Sequence, residues 1–259
     1  MKKKKLLLPI LLLAPAFLAS QVAADEQTAP ETSLEAAPAS TNATDAATPA
    51  STEASTATSE GATESSAELP EANILHTNDV HGRIVEEKGV IGDAKLAAVI
   101  DEERAKNPST LVVDAGDAFQ GLPISNSSKG EERAKILNEI GYDAMAVGNH
   151  EFDFGLDEAK KYKEILNFPL LSSNTYINGA RLFEASTIVD KDKNVVGDEF
   201  VVIGVTTPET ATKTHPKNVQ GVTFTDPISE VNKVIDEIEA RATAEGKTYK
   251  NYVVLLTWG

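Results

Sequence analysis

"NILHTNDVHGRI", residues 73–84, begins as an apolar run of strand character and ends on Asp79, His81 and Gly82. Residues i and i+2 of a β-strand point to the same face. An extended backbone here would therefore turn the carboxylate of Asp79 and the imidazole of His81 toward one point at the strand's carboxyl end. Such a pair suits a metal ion, although alone it reads more simply as a solvated polar strand end. The remainder of the chain decides between the two.

Short β-rich runs alternate with amphipathic stretches from residue 71 onward. Strands are expected at 73–77, 111–114, 144–147, 170–173, 200–205 and 252–256, and helices at 93–106, 131–140, 156–166 and 227–244. Asp226 and Pro227 supply an N-cap and a first helical residue for the last helix. This alternation predicts an α/β domain with a largely parallel or mixed sheet. In such sheets ligands gather outside the carboxyl ends of the strands. Polar clusters stand there repeatedly: Asp114, Gly116 and Asp117 after one strand, Gly148, Asn149, His150, Glu151 and Asp153 after the next, then Ser172 to Asn174, and finally Thr257-Trp258-Gly259.

The amino terminus is of another kind. Lys2 to Lys5 precede a thirteen-residue apolar run, 6–18, and the small-residue site Val22-Ala23-Ala24. That run is shorter than the roughly 20 residues that span a bilayer, so residues 1–24 read as a secretory signal peptide and predict a secreted or cell-surface protein. Residues 25–70, rich in Ala, Thr, Ser and Glu, have too little apolar surface to offset the entropy of ordering and read as a disordered spacer. Of the formal charge of −16, about −11 falls on the remainder. An acidic domain without a basic cluster argues against nucleic-acid partners and, after signal cleavage, against membrane binding. The chain has no cysteine, which excludes disulfides and thiolate metal sites.

"HTNDVHG" (76–82), "DAGDAFQG" (114–121) and "GNHEFDFG" (148–155), in that order, resemble the calcineurin-like metallophosphoesterases, in their 5′-nucleotidase and UDP-sugar hydrolase branch. The resemblance implies a β-sandwich flanked by helices in four layers, a nucleotide substrate, and two divalent metal ions, Zn²⁺ or Mn²⁺. It places Asp79 and His81 on the first metal, Asp117 between the two and Asn149 on the second. His150 and Asp153 become the catalytic pair, His150 near the phosphoryl or leaving oxygen and Asp153 orienting it. The ion types agree with donors that are imidazole, carboxylate and amide. A bridging carboxylate offsets the repulsion between cations roughly 3.5–4 Å apart that polarise phosphate and activate water. Asp114 is expected to support its loop, His76 to be structural, Asn174 and residues 206–213 to flank the site, and Glu151 to have no direct role.

One departure stands out. Relatives read T-H-L-G after the last strand, whereas here Trp258 occupies the histidine position, and an indole cannot coordinate a cation. A later Gly-His segment and the nucleotide-specificity domain are also missing from 71–259. The expectation is thus the front part of a nucleotidase, a truncated chain of weak or no activity. The alternatives are a 2′,3′-cyclic-nucleotide phosphodiesterase and a non-catalytic surface binding or display protein.

Overall fold

Three stretches of continuous hydrophobicity, "LVV" at 111–113, "AMAV" at 144–147 and "FVVIGV" at 200–205, are hydrophobic on both faces, the pattern of strands covered on both sides. The structure, a computed structural model, describes residues 72–195 and 197–257. The expected signal peptide, the spacer, and Trp258 with its departure from the family pattern lie outside the described residues.

In chain order the elements are β1 (Ile74–Thr77), α1 (Asp93–Lys106), β2 (Leu111–Asp114), α2 (Pro123–Asn126), α3 (Glu131–Ile140), β3 (Ala144–Ala146), α4 (Leu156–Ile165) and β4 (Leu170–Leu171). Then come β5 (Thr175–Ile177), β6 (Ala180–Arg181), β7 (Ser186–Val189), β8 (Phe200–Val205), α5 (Thr210–Lys213), β9 (Val222–Phe224), α6 (Pro227–Ala244) and β10 (Asn251–Leu256). One sheet runs β1-β2-β3-β4 and is parallel throughout. A second runs β10-β8-β7, with β10 parallel and β7 antiparallel to β8. A small antiparallel sheet joins β6, β5 and β9.

Alternate residues of each central strand enter different cores. Leu111, Val113, Ala144, Ala146 and Leu171 face Phe200, Val202 and Leu255 between the two larger sheets. Val112 and Met145 turn outward to Leu137, Ala159 and Tyr162 of α3 and α4 and to Ile100 of α1. Val201 and Ile203 turn the other way, to Val234 and Ile238 of α6. The order is helices, sheet, sheet, helix, the four layers expected. Burying each large apolar side chain contributes about 1.5–3 kcal/mol. The face of α6 repeats at the 3.6 period through Val231, Val234, Ile235, Ile238 and Ala242. Its start is capped as expected, with Asp226 accepting the Ser229 N–H at 2.8 Å.

The bounds of α1, α3, α4 and α6 match the sequence reading to within a residue, while the four-residue helices α2 and α5 were not foreseen. Strands β5, β6, β7 and β9 were not foreseen: at two to four residues they are too short for alternation to show. β4 ends at Leu171, so Ser172 and Ser173 belong to the turn.

Candidate active site

The carboxyl ends of β1, β2, β3, β4, β8 and β10 meet at one edge of the sandwich. Thr206, after β8, donates its hydroxyl to the Val147 carbonyl after β3 at 2.7 Å. Thr257, after β10, accepts the Thr207 N–H at 3.1 Å, and its methyl lies over Gly116, after β2. The expected site residues fall at this edge, Asp79, His81 and Asp117 in loops and Asn149, His150 and Asp153 in and around a short 3₁₀ turn over His150–Phe152.

The loop after β1 is zipped to the loop after β2. The N–H groups of Asp79, His81 and Gly82 donate to the carbonyls of Gly116, Asp117 and Ala118, each at 3.0 Å. Asp79 and His81 do converge, but for a different reason from the one the sequence suggested. β1 stops at Thr77, and Asp79 (φ 52°) and His81 (φ 50°) are both left-handed, so strand alternation does not govern them. Asp117 is left-handed too, at φ 60°. Non-glycine residues visit this region seldom, and its cost, about 1–2 kcal/mol per residue, is least for Asp and Asn. Three such residues in one pocket mark a backbone shaped for its side chains.

The side chains form a chain of contacts. His81 Nε2 lies 3.8 Å from Asp79 Oδ1. The His81 and His150 rings meet edge to face, with centroids 4.9 Å apart. The His150 N–H donates to Asp117 Oδ1 at 2.8 Å, and His150 Nδ1 lies 2.6 Å from Asp153 Oδ2. Contacts thus link Asp79, His81, Asp117, His150 and Asp153, and Asn149 is the chain neighbour of His150. His81 Nδ1 is 3.1 Å from the Gln120 carbonyl, which can only accept. Nδ1 is therefore the donor in that bond, and Nε2 is the ring nitrogen turned toward Asp79.

Among the described residues no three His, Asp or Glu side chains stand close enough to enclose a cation by themselves. The fourth donor is an amide. Asn149 is 2% exposed, and its Oδ1 is a buried acceptor with no hydrogen-bond partner. Such an orphan costs about 1–3 kcal/mol unless something fills it, and a cation does so. Gly148 leaves room for this arrangement, since a Cβ there would come within 2.2 Å of Asp117 Oδ1. An imidazole, two carboxylates and an unpaired amide oxygen are donors of the types that divalent ions take, though the described side chains as placed do not enclose one.

Asp153 is held from below by the chain after β8. Thr214 Oγ1 donates to its Oδ1 at 2.7 Å, and Asn218 Nδ2 to its carbonyl at 2.8 Å. Burial pushes the Asp153 carboxyl up, but the hydrogen bonds from His150 and Thr214 outweigh it and hold the group below its ordinary value. The same hydrogen bond, accepted by Asp153, raises His150. Burial raises the Asp117 carboxyl.

Asp114 supports its loop, as expected. It accepts the Thr77 hydroxyl and the Gly116 N–H, and burial pushes it up to about 7. Asn174 proves to be a staple, its amide tied to Thr206 N–H and carbonyl and to the Thr225 carbonyl at 2.8–3.0 Å, which leaves it no lone role at the pocket. His76, read as structural, is solvent-exposed on β1. Thr214 and Asn218 were missed, the only signal for them being the neighbouring run at 206–213. Glu151 is fully buried and accepts three backbone N–H groups.

Residues 72–259 match the calcineurin-like phosphoesterase family. The 5′-nucleotidase of Vibrio cholerae is 43% identical over 175 residues, 65% of this chain and 31% of that protein. The 5′-nucleotidase of Bos taurus is 36% identical over 184 residues, 65% of this chain and 32% of that one. Among solved structures, the 5′-nucleotidase precursor of Thermus thermophilus aligns with a TM-score of 0.59 and 31% identity, over 71% of this chain and 36% of that chain. The calcineurin-like phosphoesterase YfkN of Bacillus subtilis aligns with a TM-score of 0.61 and 27% identity, over 73% and 62%. The chain spans about a third of the length of the curated relatives it matches. A sandwich with its polar loops gathered at one edge, matched over its whole described length, makes this chain a member of the calcineurin-like phosphoesterase family, homologous to hydrolases of the 5′-nucleotidase type.

Proposed function

We propose that this chain is the metal-binding part of an exported phosphohydrolase that releases phosphate from nucleoside 5′-monophosphates. The observation that carries the reading is the buried, partnerless Oδ1 of Asn149, the residue before His150, whose backbone N–H is bonded to Asp117 and whose ring meets that of His81. Asp79 and His81 Nε2 would hold one divalent ion, Asn149 Oδ1 the other, and Asp117 both, Zn²⁺ or Mn²⁺ fitting these donors. Bound there, the ions would supply positive charge to the phosphate oxygens and acidify an attacking water. Asp153 accepts the His150 Nδ1 proton, so Nε2 is the nitrogen left to face the substrate. From there His150 donates to the phosphoryl or leaving oxygen. Thr214 and Asn218 keep Asp153 in line for that task. Export rests on the basic and apolar pattern of residues 1–24.

The names of the relatives favour the monophosphate over the cyclic ester. A Mn²⁺ titration of the full chain, followed by the electron paramagnetic signal of the free ion, tests the site. Saturable binding that Asp117→Ala abolishes is expected, and binding indifferent to Asp117 would refute the metal reading. Phosphate release from AMP compared with 2′,3′-cyclic AMP tests the substrate, and turnover of the cyclic ester alone would replace the nucleotidase assignment.

A further inference from the structure

Glu151 lies inside the third motif, yet nothing in the proposed chemistry uses it. Its side chain has no access to solvent. Oε1 accepts the Ala118 N–H at 2.9 Å, and Oε2 accepts the Asp117 N–H at 2.9 Å and the Gly148 N–H at 2.7 Å. With its oxygens committed to backbone donors, Glu151 is poorly placed to be a metal ligand or a proton carrier. What the three donors have in common is their place in the chain: two belong to the loop after β2 and one to the loop after β3.

Gly116 (φ 98°) and Asp117 (φ 60°) are consecutive residues with positive φ, and the N–H groups of Asp117 and Ala118 converge on one carboxylate. Backbone concavities of this kind bind anions. Here the anion is the protein's own carboxylate, and it also draws in Gly148 from the neighbouring loop. The residue just before the Ala118 donor is Asp117, and the residue just after the Gly148 donor is Asn149. One buried carboxylate therefore sets both the left-handed turn that aims Asp117 and the distance from that turn to Asn149.

We propose that Glu151 is the positioning residue of the site, its carboxylate clamping the loops after β2 and β3 so that Asp117 and Asn149 present their oxygens to the same cation. The inference rests on the metal reading above and deepens it. Glu151→Gln keeps the shape but puts an NH₂ where an oxygen was. Whichever way that amide turns, at least one backbone N–H meets a donor instead of an acceptor. The clamp then holds one loop less well, and the Asp117–Asn149 pair loses its fixed spacing.

The test is Mn²⁺ affinity, measured on the full chain at a temperature where circular dichroism shows each variant folded. Glu151→Gln should bind Mn²⁺ about 10–100-fold more weakly than wild type, the range seen when residues that orient metal ligands are changed. Glu151→Asp, which retains the carboxylate, should recover part of the loss. A role confined to stability would lower the unfolding midpoint and leave the affinity of the folded protein unchanged, and that result overturns the proposal. Asp117→Ala separates the two readings. If it abolishes binding while Glu151→Gln binds as wild type does, the metal site stands and the clamp falls. If Asp117→Ala and wild type bind alike, both fall. Should Glu151→Gln not fold, amide exchange in the wild type decides: the N–H groups of Asp117, Ala118 and Gly148 should gain protection together when Zn²⁺ is added. No gain at these three amides overturns the clamp.

Discussion

Gly148→Ala should weaken metal binding as well as lower stability, and the reason for both is a single contact. Gly148 is not left-handed, so its backbone accepts alanine without strain. What it lacks is space: a Cβ would stand 2.2 Å from Asp117 Oδ1 and 2.7 Å from Asp117 N. Carbon does not approach these atoms within 3.0 Å, so the Asp117 carboxylate must retreat by at least about 0.8 Å. Rotating the side chain clears the oxygen but not the backbone nitrogen, and it breaks the bond from the His150 N–H. Such overpacking costs about 1–3 kcal/mol of stability. A ligand displaced by most of an ångström should weaken Mn²⁺ binding tenfold or more, as order-of-magnitude effects of disturbed metal surroundings suggest. Gly221→Ala is the matched control. Gly221 has φ 79° and nothing within 4 Å of the added methyl, so it should lose about 1 kcal/mol through backbone strain and leave metal affinity alone. Urea unfolding and Mn²⁺ titration of both variants give the comparison. If Gly148→Ala binds Mn²⁺ as tightly as Gly221→Ala, the crowding at Asp117 does not control the site and the reasoning is wrong.

Two further outcomes are expected. Asn174→Ala removes the staple between the ends of β4, β8 and β9 and strands the buried N–H and carbonyl of Thr206 and the half-buried carbonyl of Thr225, so urea unfolding should show a loss of about 2–4 kcal/mol. Asp226→Ala should destabilise the chain at neutral pH by uncapping α6, with the deficit shrinking in acid. The Ser229 hydrogen bonds hold the Asp226 carboxyl below its ordinary value, so its contribution is present above the ordinary carboxylate range. It disappears as pH falls through the lowered value. Thermal unfolding of both proteins from pH 7 to pH 2 checks this, and a deficit that does not change with pH would contradict it.

The long elements were legible because each carries its own signal. α1, α3 and α6 begin and end where the residue pattern says, and β2 and β8 are runs whose both faces are buried. The polar loops were legible because they follow those strands directly. The local geometry was not: a period-2 argument brought Asp79 and His81 together correctly, while the chain brings them together through two left-handed residues. Glu151 was invisible as a clamp because its partners are backbone N–H groups, one of them 34 residues away, and a backbone donor leaves no mark in a sequence. Thr214 was hidden likewise, its partner Asp153 lying 61 residues earlier.

The left-handed backbones of Asp79, His81 and Asp117 bear on how this pocket can be dissected. Alanine at any of these positions deletes a donor and also strains the local chain path, so an alanine scan merges two losses into one number. Glycine separates them, because it keeps the turn while erasing the functional group. The difference between the glycine and alanine variants at each position measures what conformation, apart from chemistry, asks of that residue.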